Sequence, residues 1–339
     1  MNPFRYSSPT DLGSVLDLLG EQWGRTEILA GGTDLLALLK DDVVTPMQLV
    51  NIKKVANLHR LSVDPGKGLQ AGCLVTLDEL AREKRLAKLY PALAMAINDA
   101  ASPQIRNMAT VGGNLCQRPR CWYFRNGYGL LASDAKGESL VLKGDNRYHA
   151  ILGNAGPAYF VSPSTIAPVL VALGARIDIA GPKGSRSIPL EEFYRIPREQ
   201  GEREHDLAPN EMVIRLRLPP PKGSSTAYYE VRQKDGFDWP LATATVSFQK
   251  EHNRVTNASV VLGHLAPMPW RSKEAEASLI GKVIDQQVAS DASSAALESA
   301  RNLGQNGYKI QIARVALMRA ILEAAGEKVP SIHSRGVRS

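Results

Sequence analysis

Cysteine is scarce in this chain: 339 residues carry only Cys73, Cys116 and Cys121. So low and odd a count argues against a disulfide-built scaffold and for a reducing compartment. Aromatic residues are also sparse, at 6%. No stripe interleaves them with Lys and Arg, so no nucleic-acid groove is expected. Long apolar runs are missing too. The longest, Ile166 to Ala175, falls far short of the roughly 20 residues of a spanning helix, and membrane insertion is not expected. The opening Met1-Asn2-Pro3-Phe4-Arg5-Tyr6 has no apolar core of signal-peptide length. The histidines are scattered, with no H-x-x-x-H or C-x-x-C pair, so no metal site is expected. No G-x-S-x-G motif marks a nucleophile, and no catalytic side chain is assigned.

What remains is an ordinary globular composition. Apolar residues make up 44% and charged residues 22%, and the formal charge is +7. The length suits two or three domains. The excess of positive charge fits an anionic cofactor, an acidic partner surface or simple solvation.

Ser8-Pro9-Thr10-Asp11 precedes a helical pattern at Leu12, Val15, Leu16 and Leu19. A strand at 27–30, a helix at 34–40 and an apolar stretch at Leu49-Val50-Asn51-Ile52 complete a small α/β unit ending near residue 55. Asp64-Pro65-Gly66-Lys67-Gly68 is a hairpin turn. Thr76 caps a helix at 77–82, a second helix runs from Pro91 to Ala100, and Ser162-Pro163-Ser164-Thr165 caps a helix at 166–174. Pro219-Pro220-Pro221-Lys222-Gly223-Ser224-Ser225 reads as a linker. Beyond it, Ala227–Lys234, Ala242–Gln249 and Ala258–Leu262 read as antiparallel strands, with two or three helices from 272 to 325.

The chemistry concentrates in two glycine pairs. Ile28-Leu29-Ala30-Gly31-Gly32-Thr33-Asp34-Leu35-Leu36 reads as strand, tight turn and helix start, with Thr33 or Asp34 as N-cap. Glycine allows close approach of a ligand to the backbone, and the free N–H groups of a helix start favour an anion such as phosphate. The stretch matches neither G-x-G-x-x-G nor G-x-x-x-x-G-K-[ST]. About 80 residues on, Ala109-Thr110-Val111-Gly112-Gly113-Asn114 offers a second such turn. Together the two can grip a diphosphate through main-chain N–H groups, with Thr33 and Thr110 as extra donors. Two unrelated turns are the alternative.

These motifs resemble the flavin subunits of molybdenum hydroxylases, the xanthine dehydrogenase and carbon monoxide dehydrogenase group. Leu29 to Leu35 looks like the first FAD pyrophosphate loop, and Ile105-Arg106-Asn107 through Asn114 like the second. Ala71-Gly72 with Val75-Thr76-Leu77, Ser162-Pro163-Ser164, Gly263 to Arg271 and Asn306-Gly307-Tyr308-Lys309 fit in order. The resemblance implies an α+β fold: a two-subdomain FAD-binding domain of the PCMH type (1–55 and 56–221), then a small α+β C-terminal domain (222–330) and a tail (331–339). It implies FAD as cofactor, held by Leu29, Ala30, Gly31, Gly32, Thr33, Asp34, Leu35, Ala109, Thr110, Gly112, Gly113 and Asn114. It places Ile196 near the flavin ring. Thr165 stands where the family has an aspartate toward the ribityl, and Glu230 where some members carry a lysine.

The stretch Leu115-Cys116-Gln117-Arg118-Pro119-Arg120-Cys121-Trp122-Tyr123-Phe124-Arg125 resembles a branch with an inserted [4Fe-4S] loop. Only Cys121 of the four ligands remains; the other positions hold residues near Leu130, Ser139 and Ala158. A cluster of this type needs four thiolates, so none is expected in this chain. Cys116 and Cys121 read as buried or leftover thiols. Trp122-Tyr123-Phe124 reads as core packing, with a place near the flavin or against a partner as the alternative, and Arg118, Arg120 and Arg125 as a solvated face or as contacts for cofactor phosphate or an acidic partner. The function implied is an electron-transfer subunit that passes electrons from partner [2Fe-2S] clusters to a final acceptor. The partners would be a large molybdopterin-binding subunit and a small [2Fe-2S] subunit. A cytoplasmic location is expected, or a periplasmic one by export with a partner. A free-standing FAD-dependent oxidase or dehydrogenase and a non-redox assembly subunit are the alternatives.

Overall fold

A computed structural model describes residues 1–233 and 238–330. The N-terminal unit contains β1 (Arg5–Ser7), α1 (Leu12–Leu18), β2 (Thr26–Leu29), α2 (Leu35–Lys40) and β3 (Gln48–Asn51). Its three strands are parallel in the order β1-β3-β2. Asp11 caps α1 by accepting from the Ser14 N–H. Parallel strand–helix–strand crossovers of this kind place strand C-termini and the following turns on one edge. The first glycine pair lies on that edge.

The second unit starts with the hairpin β4 (Leu61–Asp64) and β5 (Gly68–Gly72), turned by Asp64, whose Oδ1 accepts from the Gly66 and Lys67 N–H groups. Helices α3 (Leu77–Arg82), α4 (Lys84–Leu89), α5 (Pro91–Asp99), α6 (Pro103–Arg106) and α7 (Val111–Leu115) follow. Thr76 and Glu79 form a reciprocal capping box on α3. A loop-rich stretch carries only α8 (Trp122–Arg125) and α9 (Leu140–Lys143) before the wholly buried α10 (Ile166–Ala172). Strands β6 (Arg176–Gly181), β7 (Gly184–Pro189) and β8 (Met212–Leu218) complete an antiparallel sheet ordered β4-β5-β8-β6-β7. The first two units share one apolar core, in which Val15 and Val50 meet Leu69, Leu77 and Leu170.

The C-terminal unit is a sheet ordered β12-β11-β10-β9, from β9 (Ser225–Val231), β10 (Ala242–Glu251), β11 (Arg254–Gly263) and β12 (Trp270–Arg271). Three helices accompany it: α11 (Lys273–Leu279), α12 (Gln286–Ala295) and α13 (Tyr308–Ala325). Its core, with Phe248, Leu262, Leu317 and Ile321, is separate. Ile151 and Leu152 from the loop-rich stretch belong to that core as well. Among the described residues, no helix is long and apolar enough to cross a membrane.

Candidate functional site

β2 runs into Ala30-Gly31-Gly32, and the chain turns because Gly32 adopts φ 78°. At Gly31 the demand is closeness. A Cβ there would sit 1.8 Å from the Met108 carbonyl oxygen and 3.4 Å from the Ala109 Cα. The two glycine stretches are therefore in direct main-chain contact. α2 then begins at Leu35 and spans only six residues, so its dipole adds little. Asp34 holds the N-cap position without capping through its side chain. The N–H groups of Gly31, Gly32, Thr33, Asp34 and Leu35 have no hydrogen-bond partner among the described residues. Five successive free donors form a concave anion receptor.

The second stretch differs from its sequence reading. Gly112 and Gly113 lie inside the one-turn helix α7 rather than in an open turn. The Val111 N–H donates to the Val75 carbonyl at 2.8 Å, and the Gly112 N–H to the Cys73 carbonyl at 2.9 Å. The Gly113 N–H donates to Thr110 Oγ1 at 3.1 Å, and the Asn114 N–H to the Thr110 carbonyl at 2.8 Å. The expected grip by main-chain donors from both sides thus has free donors on one side only. Gly112 contributes proximity instead: a Cβ there would lie 2.7 Å from the Cys73 Cβ.

Arg118, Arg120 and Arg125 are not a solvated face. Their side chains are 14%, 26% and 16% exposed, and the segment closes around Asp34. Arg120 and Arg125 reach Asp34 Oδ1 at 2.6 and 2.7 Å. The Arg118 main-chain N–H donates to Asp34 Oδ2 at 2.8 Å, and its guanidinium pairs with Glu204 at 2.5 Å. A carboxylate next to a phosphate site would repel the ligand; here two guanidiniums neutralise it. Nearby Glu27 is held above the ordinary carboxylate range, chiefly by burial, with Arg118 opposing.

Between the stretches lies a cavity of about 180 Å³, lined by Ala30 to Leu35 together with Thr110, Gly112 and Gly113. Leu29, Ala109 and Asn114 do not line it. Leu29 ends β2, and Ala109 accepts from the Leu77 N–H. Asn114 Oδ1 accepts from the Ser164 hydroxyl at 2.6 Å. Thr165, buried at the start of α10, lines neither this cavity nor the next. The cavity lining also includes Trp23, Arg203 and His205, which no sequence motif announced.

Residues 117–121 lead from this cavity to a second of about 390 Å³. Its walls include Trp122, Tyr148, Phe160 and Trp239, with Arg120 stacked 4.8 Å over the Trp239 ring. Two buried histidines face it. His149 Nε2 lies 3.2 Å from Cys121 Sγ, and its Nδ1 has no partner among the described residues. Neither ring nitrogen of His264 has one. Such unmet polar atoms cost about 1–3 kcal/mol each in a closed protein, which points to a ligand. Aromatic walls with a few polar atoms suit a planar ring.

Cys121, Leu130 and Ala158 meet in one small apolar cluster with Leu38, Phe124 and Phe160, and Ile196 packs on its edge. Ser139 instead caps α9. The Trp122 and Tyr123 rings are half-buried around His149 rather than in the core, while Phe124 is buried. Burial pushes the Cys116 thiol up to about 12, and Cys121 upward too. No group of three or more His, Cys, Asp or Glu side chains among the described residues is arranged to hold a metal ion.

Comparison with known proteins bears directly on this arrangement. Residues 2–221 match the model for the FAD binding domain in molybdopterin dehydrogenase. Residues 227–324 match the CO dehydrogenase flavoprotein C-terminal domain. The chain is 31% identical to the aldehyde oxidoreductase FAD-binding subunit PaoB of Escherichia coli (strain K12), over 89% of this chain and 92% of that one. It is 26% identical to the carbon monoxide dehydrogenase medium chain of Hydrogenophaga pseudoflava, over 94% and 96%. Its fold matches the crystal structure of quinoline 2-oxidoreductase from Pseudomonas putida 86 with a TM-score of 0.73 and 25% identity, covering 96% and 98% of the two chains.

Proposed function

The chain belongs to the family of FAD-binding domains of molybdopterin dehydrogenases and is an FAD-binding oxidoreductase subunit; from that premise we propose how it holds the flavin and what it does with it. The diphosphate sits against the free N–H groups of Gly31 to Leu35, with Thr33 as a further donor. The second stretch, Thr110 to Gly113, forms the close opposing wall. The first cavity, at about 180 Å³, is below the roughly 300–1,000 Å³ of ligand pockets. A dinucleotide therefore extends past residues 117–121, and its ring system takes the second, aromatic-walled cavity. Ile196 packs on the cluster that holds Phe160, a wall of that cavity. Thr165 stays a supporting residue of α10.

FAD, when bound, supplies the redox chemistry. The side chains here bind it, orient it and exclude water; none is needed as a general acid or base. As a flavin-bearing electron-transfer subunit, the chain would work in a complex with a large molybdopterin-binding subunit and a small [2Fe-2S] subunit, passing electrons from those clusters to a final acceptor. The lack of a long apolar helix among the described residues fits a cytoplasmic complex.

The run of five unpaired main-chain donors beside a neutralised carboxylate carries this reading. Purification of the full chain, alone and with its co-expressed neighbours, tests it. Expected is a yellow protein that releases FAD on denaturation. Colourless protein from every preparation, with no uptake of added FAD, would overturn it.

A further inference from the structure

His264 is anomalous in three independent ways. It follows β11 with a left-handed backbone, φ 61°, where a side chain brings strain. It is 2% exposed, yet neither ring nitrogen has a hydrogen-bond partner among the described residues. And it is one of the residues that line the second cavity. Strain and an unmatched polar ring both lower stability. A residue selected only for packing would carry neither.

The surroundings hold this ring in place. The His264 main-chain carbonyl accepts from Lys309 Nζ at 2.8 Å. The same ammonium donates to the carbonyls of Tyr148 and His149, both at 3.2 Å. All three protons of Lys309 are thereby spent on main chain, and no carboxylate pairs with it among the described residues. No carboxylate offsets this ammonium at the cavity wall, and burial pulls its pKa down to about 7, so its charge is fully present only below neutral pH. The next carbonyl, of Leu265, accepts from the Ile151 and Leu152 N–H groups. The backbone on the C-terminal side of His264 is therefore clamped as well.

We propose that His264 is a positioning residue for the flavin ring system: its imidazole hydrogen-bonds the polar edge of the ring, while Lys309 fixes the backbone that aims it and lends that edge positive charge. This rests on the reading that the second cavity receives the ring. A neutral imidazole offers one donor and one acceptor. That matches an edge carrying both carbonyl oxygens and an N–H. Burial, and then the Lys309 charge, keep the ring neutral by pulling its pKa down to about 3; the Pro163 carbonyl, outside hydrogen-bonding geometry, opposes weakly. While Lys309 holds its proton, its positive charge beside the ring favours negative charge on the flavin, which makes the bound flavin easier to reduce.

The test compares the full chain loaded with FAD with its His264→Gly and His264→Asn variants. Glycine removes the imidazole and relieves the left-handed backbone. Asparagine tolerates that backbone and keeps a shorter donor and acceptor. Expected for His264→Gly is a melting temperature at or above that of the parent. Its Kd for FAD should rise about tenfold, the worth of one ligand hydrogen bond. Its flavin absorption band should shift and its midpoint potential fall, with His264→Asn in between. Unchanged Kd, spectrum and potential in His264→Gly would overturn the proposal, as would a lowered melting temperature with an unaltered flavin. A parent chain that takes up no FAD fails earlier, before any substitution, and refutes the cavity reading beneath.

Discussion

Replacing Gly31 with alanine should separate the two glycine stretches. A Cβ at this position lies 1.8 Å from the Met108 carbonyl oxygen, against the 3.0 Å that real Cβ atoms respect. The obstacle is main chain on a segment anchored by the Val111 and Gly112 N–H bonds to Val75 and Cys73. The first loop must therefore retreat by more than about an ångström, the difference that contact distances impose in a close-packed interior. Forced overpacking costs about 1–3 kcal/mol, and about 2–4 °C of Tm per kcal/mol for a domain this size. Ligand binding should suffer more. A hydrogen bond to a charged group is worth about 1.5–3 kcal/mol, so misaligning one of the five N–H donors raises Kd by about ten- to a hundredfold. Fluorescence titration with FAD, with thermal unfolding in parallel, measures both. Gly156→Ala, where no atom lies within 4 Å of the new Cβ, is the control. If Gly31→Ala bound FAD and melted like the parent, the close contact between the stretches would not position the site.

Asp34→Asn should strand Arg120 and Arg125 half-buried without a countercharge, costing about 1–3 kcal/mol, and a double-mutant cycle with Arg125→Gln should show positive coupling. Acid should destabilise the fold through two histidines. Burial lowers His149 to about 4 and His264 to about 3, from 6.5. Between those values and 6.5 the unfolded chain binds more protons than the folded one. Their contribution is therefore complete above pH 6.5 and lost as pH falls, at about 1.4 kcal/mol per pH unit for each. Urea unfolding at pH 7 and pH 5 should show the loss, and His264→Asn should reduce it. The buried thiol of Cys73, raised by desolvation, should resist a thiol reagent at pH 8 in the native protein and react once unfolded.

Local features were legible in the sequence because local chemistry sets them. The Asp64 turn, the Thr76 cap and the bend at Gly32 each follow from a residue acting on its neighbours. The family resemblance, carried by ordered motifs, proved right across nearly the whole chain. Long-range partners were not legible. Asp34 meets the Arg118 N–H across 84 residues, and a polar loop has no periodicity to reveal it. The arginines therefore read as solvent-facing. His149 and His264 share one cavity wall through the packing of two units, which spacing does not encode. Nor does a glycine pair disclose whether its N–H groups are already spent, which is why the two stretches read alike.

That inequality between the bends should be visible in solution. In the cofactor-free protein, amide protons of residues 31–35 should exchange with deuterated water almost as fast as in an unfolded peptide, while those of 111–114 stay protected by their internal partners. Loading with FAD should slow the first group and leave the second untouched. One bend would then serve as a built-in gauge of occupancy and the other as its fixed reference.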